Sequence, residues 1–580
     1  MSRMNSILAA LVVTAIVAIA PQAHAAPTVK VMVAGSSAQW QSMALAAYNG
    51  GNCVTGGTAP CFHYTGSSNF NLNDTRPSLK GGSALNDPNG IWIVWDSSAN
   101  PNVWAYIKVD SVVGLRCYFA HPHCNVNVAT FPSPGNKIGA SLWGDNSSDS
   151  TPPSSIQSLF TASTGPFVTA AATDIRPEDG LFAECRANSK LGGGSDGLAG
   201  LGYNTNNASG ACPTTNQLAN LVGADIKSGY PNSSAAAHVV AFNISGKDPF
   251  SGNSIGAYTT VSVGAAPIVF ITARSGALAP VKNATDAQLQ TVFSGTNCDA
   301  SAFGAAAGVI NAYLREPLSG TMNTTEASVF RYPDASGNSQ ETGVNASNPL
   351  AGPCSAGGSR YRGIGTGEVV NWVLNSNTNT GHDGIAYAFF SYGNVGSIAN
   401  NPAYGYLTLN GVDPIFHQYG STIDPGQPST PGVLPAAANL PAACSGTFPC
   451  AEGNIWSGHL SFPNLRNGSY RAWSVLRVVS TGVNLANLRV LVLGEQNFAV
   501  NSTPDFVPAI KVGNSDPGLP LLRSHYTQEG VAPVNIATSG GDKGGDMGGC
   551  ILTSSGAVNT SDTTTKLAQA APGTGCVAVP

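Results

Sequence analysis

Residues 29–48 read VKVMVAGSSAQWQSMALAAY, and this stretch contains the pattern that decides the fold. Apolar residues alternate over 29–33, as in a β-strand, and residues 40–48 place helix-forming side chains at helical spacing. Between the two lies the short polar turn Gly35-Ser36-Ser37. The stretch therefore predicts a strand, a tight turn and the start of a helix.

The same succession of strand-like and helical segments recurs through much of the chain. Strand-like apolar runs are found at residues 62–65, 91–95, 103–109, 167–172, 239–244, 267–272 and 384–390. Helices are indicated at 285–293, with Thr285 as the capping residue, and at 367–374. Alternating strands and helices favour an α/β fold with largely parallel sheets.

The first 25 residues have the features of a secretory signal peptide. Arg3 supplies the positive start, residues 7–20 form a short apolar core, and residues 23–25 (AHA) form a small-x-small cleavage site. We expect cleavage after Ala25 and a periplasmic or secreted protein without membrane insertion.

Twelve cysteines in an exported chain indicate disulfides. The simplest hypothesis joins sequential neighbours, which gives the pairs Cys53/Cys61, Cys117/Cys124, Cys185/Cys212, Cys298/Cys354, Cys444/Cys450 and Cys550/Cys576. A metal site is not favoured, because no two cysteines have Cys-x-x-Cys spacing. The formal charge of -5, without a basic run, argues against nucleic acid as a partner.

Residues 315–321 read REPLSGT and lead into a helix-compatible run that ends at Phe330. Arg315 stands four residues before the turn formed by Ser319, Gly320 and Thr321. Hydroxyls and free backbone N–H groups at a helix start, close to a guanidinium, suit a tetrahedral oxyanion. The motif indicates capture of a small anion rather than chemistry performed on it.

Several motifs together have a known counterpart. They are VMVAGSSAQW at 31–40, AAATDIRPED at 170–179, NATDAQLQTVFSG at 283–295, REPLSGTMNTTEASVF at 315–330 and GIAYAFFSYG at 384–393. In these motifs the chain resembles the phosphate-binding, type II periplasmic binding proteins of phosphate ABC transporters. The resemblance implies a two-lobed α/β fold whose oxyanion contacts are Ser36, Ser37, Asp174, Arg315, Ser319, Gly320 and Thr321.

The chain is longer than the family pattern requires. The expected organisation is a signal peptide at 1–25 and a first lobe at 26–245 with an insertion at about 76–165. A second lobe at 246–395 follows, then a return to the first lobe with an extension at 396–535, and a Gly/Ser/Thr-rich tail at 536–580. Crossings between the lobes are expected near 243–250 and 393–400.

Asp174 has a distinct place among these residues, because a carboxylate repels an anion unless the ligand donates a proton to it. Hydrogen phosphate carries such a proton near neutral pH and sulfate does not, so Asp174 would select phosphate. Asp174 or Thr173 could instead cap a helix that starts at Pro177. Arg315 could instead be a surface cation that pairs with Glu316.

The sequence favours an exported solute-binding protein that captures phosphate or a similar oxyanion for uptake through an ABC transporter permease. Its alternative is a secreted structural or interaction protein that keeps this fold without transport. A secreted phosphatase using the same site is the third possibility, but no nucleophile–base pair or metal cluster is recognisable in the sequence. We therefore expect no catalytic residue, no cofactor and no metal.

Overall fold

The structure is a computed structural model. It describes residues 26–49, 61–66, 69–74, 90–143, 147–175, 258–316, 318–330, 350–363, 365–399, 401–416, 462–466 and 469–480, with short pieces at 180, 183, 432–433, 487–488, 491–492, 494–495 and 507–508. Within these residues, one mixed sheet has 14 strands, and β3 (Asn71–Leu72) pairs with β6 (Val126–Asn127) in a separate small sheet.

The first half of the large sheet comes from the N-terminal part of the chain. Its strands are β1 (Thr28–Ser36), β2 (Cys61–Gly66), β4 (Ile91–Asp96), β5 (Asn102–Val109) and β7 (Ala170–Thr173). Strand β1 lies between β5 and β7 and is parallel to both, and β4 and β2 extend the sheet antiparallel to its edge. Its helices are α1 (Trp40–Asn49), which follows a 3-10 turn at Ser37–Gln39, α2 (Ser111–Phe119) and α3 (Ser154–Thr161).

The second half repeats this plan with strands from the middle of the chain. Its strands are β9 (Asn283–Ala284), β10 (Ile310–Arg315), β11 (Leu350–Pro353), β12 (Ser359–Gly363), β13 (Asp383–Phe389) and β14 (Tyr404–Leu409). Strand β10 lies between β12 and β13 and is parallel to both. Its helices are α4 (Asp286–Phe293), α5 (Gly320–Thr325), which continues as a π-helix at Glu326–Phe330, α6 (Thr366–Thr380) and α7 (Tyr392–Ala399).

Two long antiparallel strands join the halves. Strand β8 (Thr259–Ala273) pairs over 259–267 with β15 (Trp473–Ser480) and over 268–273 with β13 and β14. Strand β15 returns the chain to the first half, where it pairs with β7. The short helix α8 (Pro463–Arg466) precedes β15, and β16 (Val507–Pro508) pairs with β8.

Both faces of the sheet are covered by helices. Along β1, Val31 and Val33 pack into the apolar cluster that contains side chains of α1, whereas Met32 and Ala34 pack with those of α2. Because both faces are buried, the strands are nearly continuous apolar runs rather than strict alternations. In the second half, Thr285 caps α4 as expected, with its hydroxyl accepting from the backbone N–H of Gln288.

The structure confirms the α/β class, and its two sheet halves agree with a two-lobed arrangement. The expectation of largely parallel sheets is wrong, because the pairings of β8 with β13, β14 and β15 and of β15 with β7 are antiparallel. Parallel pairing needs a long crossover connection, whereas these two strands pass directly between the halves. The expected strand at 239–244 lies outside the described residues.

The expected domain boundaries stay predictions. Residues 1–25 and 536–580 and the crossing near 243–250 lie outside the described part of the chain. Within the expected insertion at 76–165, the structure places β4 and β5, which belong to the large sheet. No helix among the described residues is both long enough and apolar enough to cross a membrane.

Two of the expected disulfides are confirmed. Cys117 is bonded to Cys124, and Cys298 to Cys354. The pairs Cys185/Cys212, Cys444/Cys450 and Cys550/Cys576 lie outside the described residues, as does Cys53. His121 and His123 lie in the loop that the Cys117–Cys124 bond closes.

Removing the Cys298–Cys354 bond, by changing both residues to alanine, should lower the free energy of unfolding by about 4 kcal/mol, because the bond spans 56 residues. The matched double change at Cys117 and Cys124, which are only 7 residues apart, should lower it by about 2.5 kcal/mol. Urea denaturation of both variants measures the difference. Equal losses would show that loop closure is not the main contribution.

Candidate functional site

The carboxyl ends of parallel strands from both sheet halves meet at one place. In the first half, β1, β5 and β7 end at Ser36, Val109 and Thr173. In the second half, β10 and β12 end at Arg315 and Gly363. Helix starts follow most of these ends, so side chains and helix N-termini from both halves converge there.

Arg315 connects the two halves. Its Nη1 donates to the hydroxyl of Thr366 at 2.6 Å, and its Nη2 donates to Oδ1 of Asp110. Thr366 is the first residue of α6 in the second half, and Asp110 precedes α2 in the first half. The guanidinium is 1% exposed, so the alternative that Arg315 is a surface cation is wrong.

Asp174 lies directly after β7 and is 1% exposed. Its Oδ1 accepts from the hydroxyl of Ser111, the first residue of α2, and its carbonyl accepts from Ser474. Burial raises the pKa of Asp174 to about 6, against the opposing effects of the Ser111 hydrogen bond and the charges of Arg315 and Arg477. The carboxyl group can therefore hold or accept a proton near neutral pH.

Gly320 brings the second half against this carboxyl group. A Cβ atom at position 320 would overlap Oδ1 of Asp174 and would lie 2.7 Å from the Ser111 hydroxyl oxygen. The backbone of α5 therefore approaches Asp174 as closely as its atoms allow, and only glycine fits there. The backbone N–H of Val112 also donates to the carbonyl of Leu318 at 3.2 Å, which links α2 to the turn before α5.

The remaining predicted site residues lie in the same region. Ser37 is 3.0 Å from Thr366, hydroxyl to hydroxyl, which is a second contact between the halves. The Ser36 and Ser319 hydroxyls accept from the backbone N–H groups of Ala38 and Met322, so each caps a helical turn. Thr321 is buried in the first turn of α5, with 4% of its surface exposed. Among the seven predicted residues, Ser37, Asp174, Arg315 and Gly320 take part in contacts between the halves, and Ser36, Ser319 and Thr321 are their neighbours along the chain.

Sequence reasoning missed three members of this junction, Asp110, Ser111 and Thr366. Asp110 and Ser111 follow the strand-like run 103–109, and Thr366 follows the strand Ser359–Gly363 and opens a helix. A small polar residue between a strand and a helix was the signal in all three cases. The same signal marks Ser36 and Ser37.

The junction combines a guanidinium, several hydroxyls and helix N-termini with one carboxyl group that exchanges a proton near neutral pH. Such a set can hold a tetrahedral oxyanion that donates one hydrogen bond. A metal is not indicated: among the described residues, the one group with suitable ligand atoms is Asp74, Cys117 and Cys124. Its sulfur atoms are bonded to each other, and Asp74 accepts from Nε of Arg116 at 2.6 Å.

Comparison with known proteins gave structural matches only; no family model and no curated protein matches the chain. A human phosphate-binding apolipoprotein is 14% identical, with a TM-score of 0.30 over 82% of this chain and 90% of its own. A phosphate-binding protein from Stenotrophomonas maltophilia is 12% identical, with a TM-score of 0.28 over 68% and 77%. An ABC-type phosphate transport receptor from Vibrio cholerae is 11% identical, with a TM-score of 0.22 over 41% and 67%. TM-scores this low do not identify a function.

Proposed function

We propose that this protein binds a small tetrahedral oxyanion, phosphate above all, between the two halves of its sheet. In this proposal it is an exported binding protein that delivers the anion to an ABC transporter permease for uptake. The observation that carries the binding step is the buried meeting of Arg315 and Gly320, from the second half, with Asp174, from the first.

The chemistry of this meeting fits hydrogen phosphate. Arg315 supplies positive charge and a two-pronged donor, and the starts of α2 and α6 supply backbone N–H groups and the hydroxyls of Ser111 and Thr366. Asp174 supplies an acceptor for the one proton that hydrogen phosphate carries. Sulfate has no such proton, so it would place a negative oxygen against the Asp174 carboxylate among buried side chains.

Calorimetric titration at pH 7.5 tests the proposal, after unfolding and refolding the protein to remove any anion carried through purification. We expect phosphate to bind with measurable heat and sulfate to bind about 30-fold more weakly, because an Asp174 carboxyl group with a pKa of about 6 is almost fully ionised at pH 7.5. Folded protein that gives neither heat nor thermal stabilisation with phosphate would overturn the proposal. Delivery is tested separately, by uptake of labelled phosphate in cells with and without the protein.

Asp110 competes with the ligand for Arg315. Its carboxylate accepts directly from the guanidinium, so an incoming anion must take over this donor. Binding therefore exchanges an internal ion pair for a pair with the ligand, and the remaining Asp110 charge opposes any anion nearby. The strength of binding depends on this competition as well as on the contacts to the anion.

Changing Asp110→Asn should tighten phosphate binding by about tenfold or more, because it removes one negative charge beside the ligand. Calorimetry of the variant measures the effect. Asp96→Asn is the matched control: Asp96 lies at the end of β4, where its side chain accepts from Ser98 and Asn102, and its loss should leave affinity unchanged. Weaker binding by the Asp110 variant would show that this carboxylate positions Arg315 rather than competing for it.

A further inference from the structure

A second cluster of polar side chains lies at the edge of the sheet, apart from the junction. His63 is in the edge strand β2, and Ser147 and Asp149 follow the 3-10 helix Ala140–Trp143. The imidazole Nδ1 is 2.9 Å from Oδ1 of Asp149, and Nε2 is 2.7 Å from the Ser147 hydroxyl. We propose that Ser147, His63 and Asp149 form a hydrolytic triad that cleaves small, neutral carboxylic esters.

Asp149 is fixed as the residue that orients the imidazole. Its side chain is 0% exposed. Its Oδ2 accepts three hydrogen bonds: from the backbone N–H of Thr65 at 2.9 Å, from the backbone N–H of Asn136 at 2.7 Å, and from the Thr65 hydroxyl. These donors occupy Oδ2 and leave Oδ1 to His63. A carboxylate at Nδ1 keeps the ring hydrogen there, so Nε2 presents its lone pair to Ser147.

Aromatic packing holds the imidazole in this orientation. Its ring stacks on Trp143 with centroids 3.9 Å apart and planes 13° apart, and Tyr48 packs edge-on at 4.9 Å. The loop is tied to the strand as well, since the backbone N–H of Ser150 donates to the carbonyl of His63 at 2.8 Å. A nucleophile–base pair held by packing and hydrogen bonds has the rigidity that catalysis requires.

Ser147 is a partly exposed residue, whereas the side chains of its two partners are buried. Ser147 is half-buried and its neighbour Ser148 is exposed, while His63 is 2% exposed. A substrate therefore approaches from the side of the loop, and the rings of Tyr48 and Trp143 flank the base. Aromatic surroundings suit a small neutral acyl group rather than a charged one.

The proposed reaction balances with water as the co-reactant. The Ser147 oxygen attacks the ester carbonyl while His63 Nε2 takes the hydroxyl proton. The tetrahedral species then expels the alcohol oxygen, which takes that proton from His63, and an acyl-serine remains. Water attacks the acyl-serine with His63 as the base, releasing the carboxylic acid and restoring the serine hydroxyl.

The test uses the full chain with p-nitrophenyl acetate as substrate and a fluorophosphonate as a covalent probe. We expect ester hydrolysis above the buffer rate and a single probe adduct that mass spectrometry places on Ser147. Ser147→Ala should abolish the adduct and lower the rate at least about 100-fold, while Ser148→Ala, the matched control, should leave both unchanged. Phosphate binding by calorimetry should be equal in both variants, which shows that the junction is intact.

A separate measurement, the 15N chemical shifts of the His63 ring, tests the role of Asp149. In the wild type, the 15N chemical shifts of the His63 ring should report hydrogen on Nδ1, and in the Asp149→Asn variant they should shift towards hydrogen on Nε2, because an amide can donate to Nδ1. Hydrolysis should fall with this shift. Folded wild type without an adduct on Ser147, or hydrolysis that survives Ser147→Ala, would overturn the proposal.

Discussion

Changing Arg315→Ala is expected to weaken phosphate binding by at least about 30-fold, and sulfate and arsenate binding by a similar factor. The guanidinium contacts Thr366 of α6 and Asp110, and in the proposed complex it also contacts the anion. Its loss removes charge-assisted hydrogen bonds to any oxyanion, and it leaves the buried Asp110 carboxylate facing the ligand without its partner. Calorimetry of phosphate and sulfate with the variant measures both factors.

Two further variants separate lost binding from lost stability. Arg360→Ala removes another buried arginine, which donates to the carbonyl of Phe293 at 3.3 Å, and should lower stability while leaving phosphate affinity unchanged. Arg315→Lys keeps the charge without the planar fork and should bind phosphate with intermediate affinity. If Arg315→Ala binds phosphate as the wild type does, the oxyanion lies elsewhere.

The fold could be predicted wherever local periodicity defines an element. Strand β1 and helix α1 agree with the pattern of residues 29–48, and Thr285 caps its helix as expected. Strand β8 was underestimated: the sequence indicated 267–272, whereas the strand spans Thr259–Ala273. Its first residues pair with β15, which lies about two hundred residues later in the chain. Local periodicity contains no information about a partner so distant.

The same distinction explains which site residues could be predicted. Arg315 and Gly320 belong to one contiguous motif, so their chemistry is readable from spacing. Asp110 is 205 residues from Arg315, and the Ser147 hydroxyl is 84 residues from its base His63. The pair of Ser147 and His63 is not recognisable in the sequence because its two residues are far apart along the chain. Only the folded sheet brings such partners together.

Asp174→Asn should stabilise the ligand-free protein at neutral pH. The folded-state pKa of about 6 lies above the ordinary value of 3.8, so the folded state binds this proton more tightly than the unfolded state does. The resulting stability is fully present below about pH 3.8 and is lost as pH rises through about 6. Above pH 7 the ionised carboxyl group costs about 3 kcal/mol, which the uncharged amide avoids.

Urea denaturation between pH 4 and pH 8 measures this difference. The variant should be more stable than the wild type by up to about 3 kcal/mol above pH 7, and the difference should shrink towards pH 4. Asp299→Asn is a control for which the opposite change in stability is expected, because hydrogen bonds from the Ser301 backbone lower the pKa of Asp299. That change should cost stability at neutral pH. If the difference in stability between the Asp174→Asn variant and the wild type does not depend on pH, the ionised Asp174 carboxyl group is not destabilised by burial.

The same substitution should also remove the discrimination between phosphate and sulfate. In the wild type, sulfate can bind well only when Asp174 itself holds a proton, so above pH 6 its affinity should rise about tenfold for each unit that the pH falls. Phosphate brings its own proton and needs no such uptake from Asp174. In the Asp174→Asn variant, sulfate affinity should become independent of pH and approach that of phosphate, as measured by calorimetry in buffers of different ionisation enthalpy.

A wild-type sulfate affinity that stays flat between pH 8 and pH 6 would mean that the carboxyl group of Asp174 does not face the anion. The selection of phosphate would then have to come from the donors around Arg315 alone, and those donors do not distinguish a protonated oxyanion from an unprotonated one.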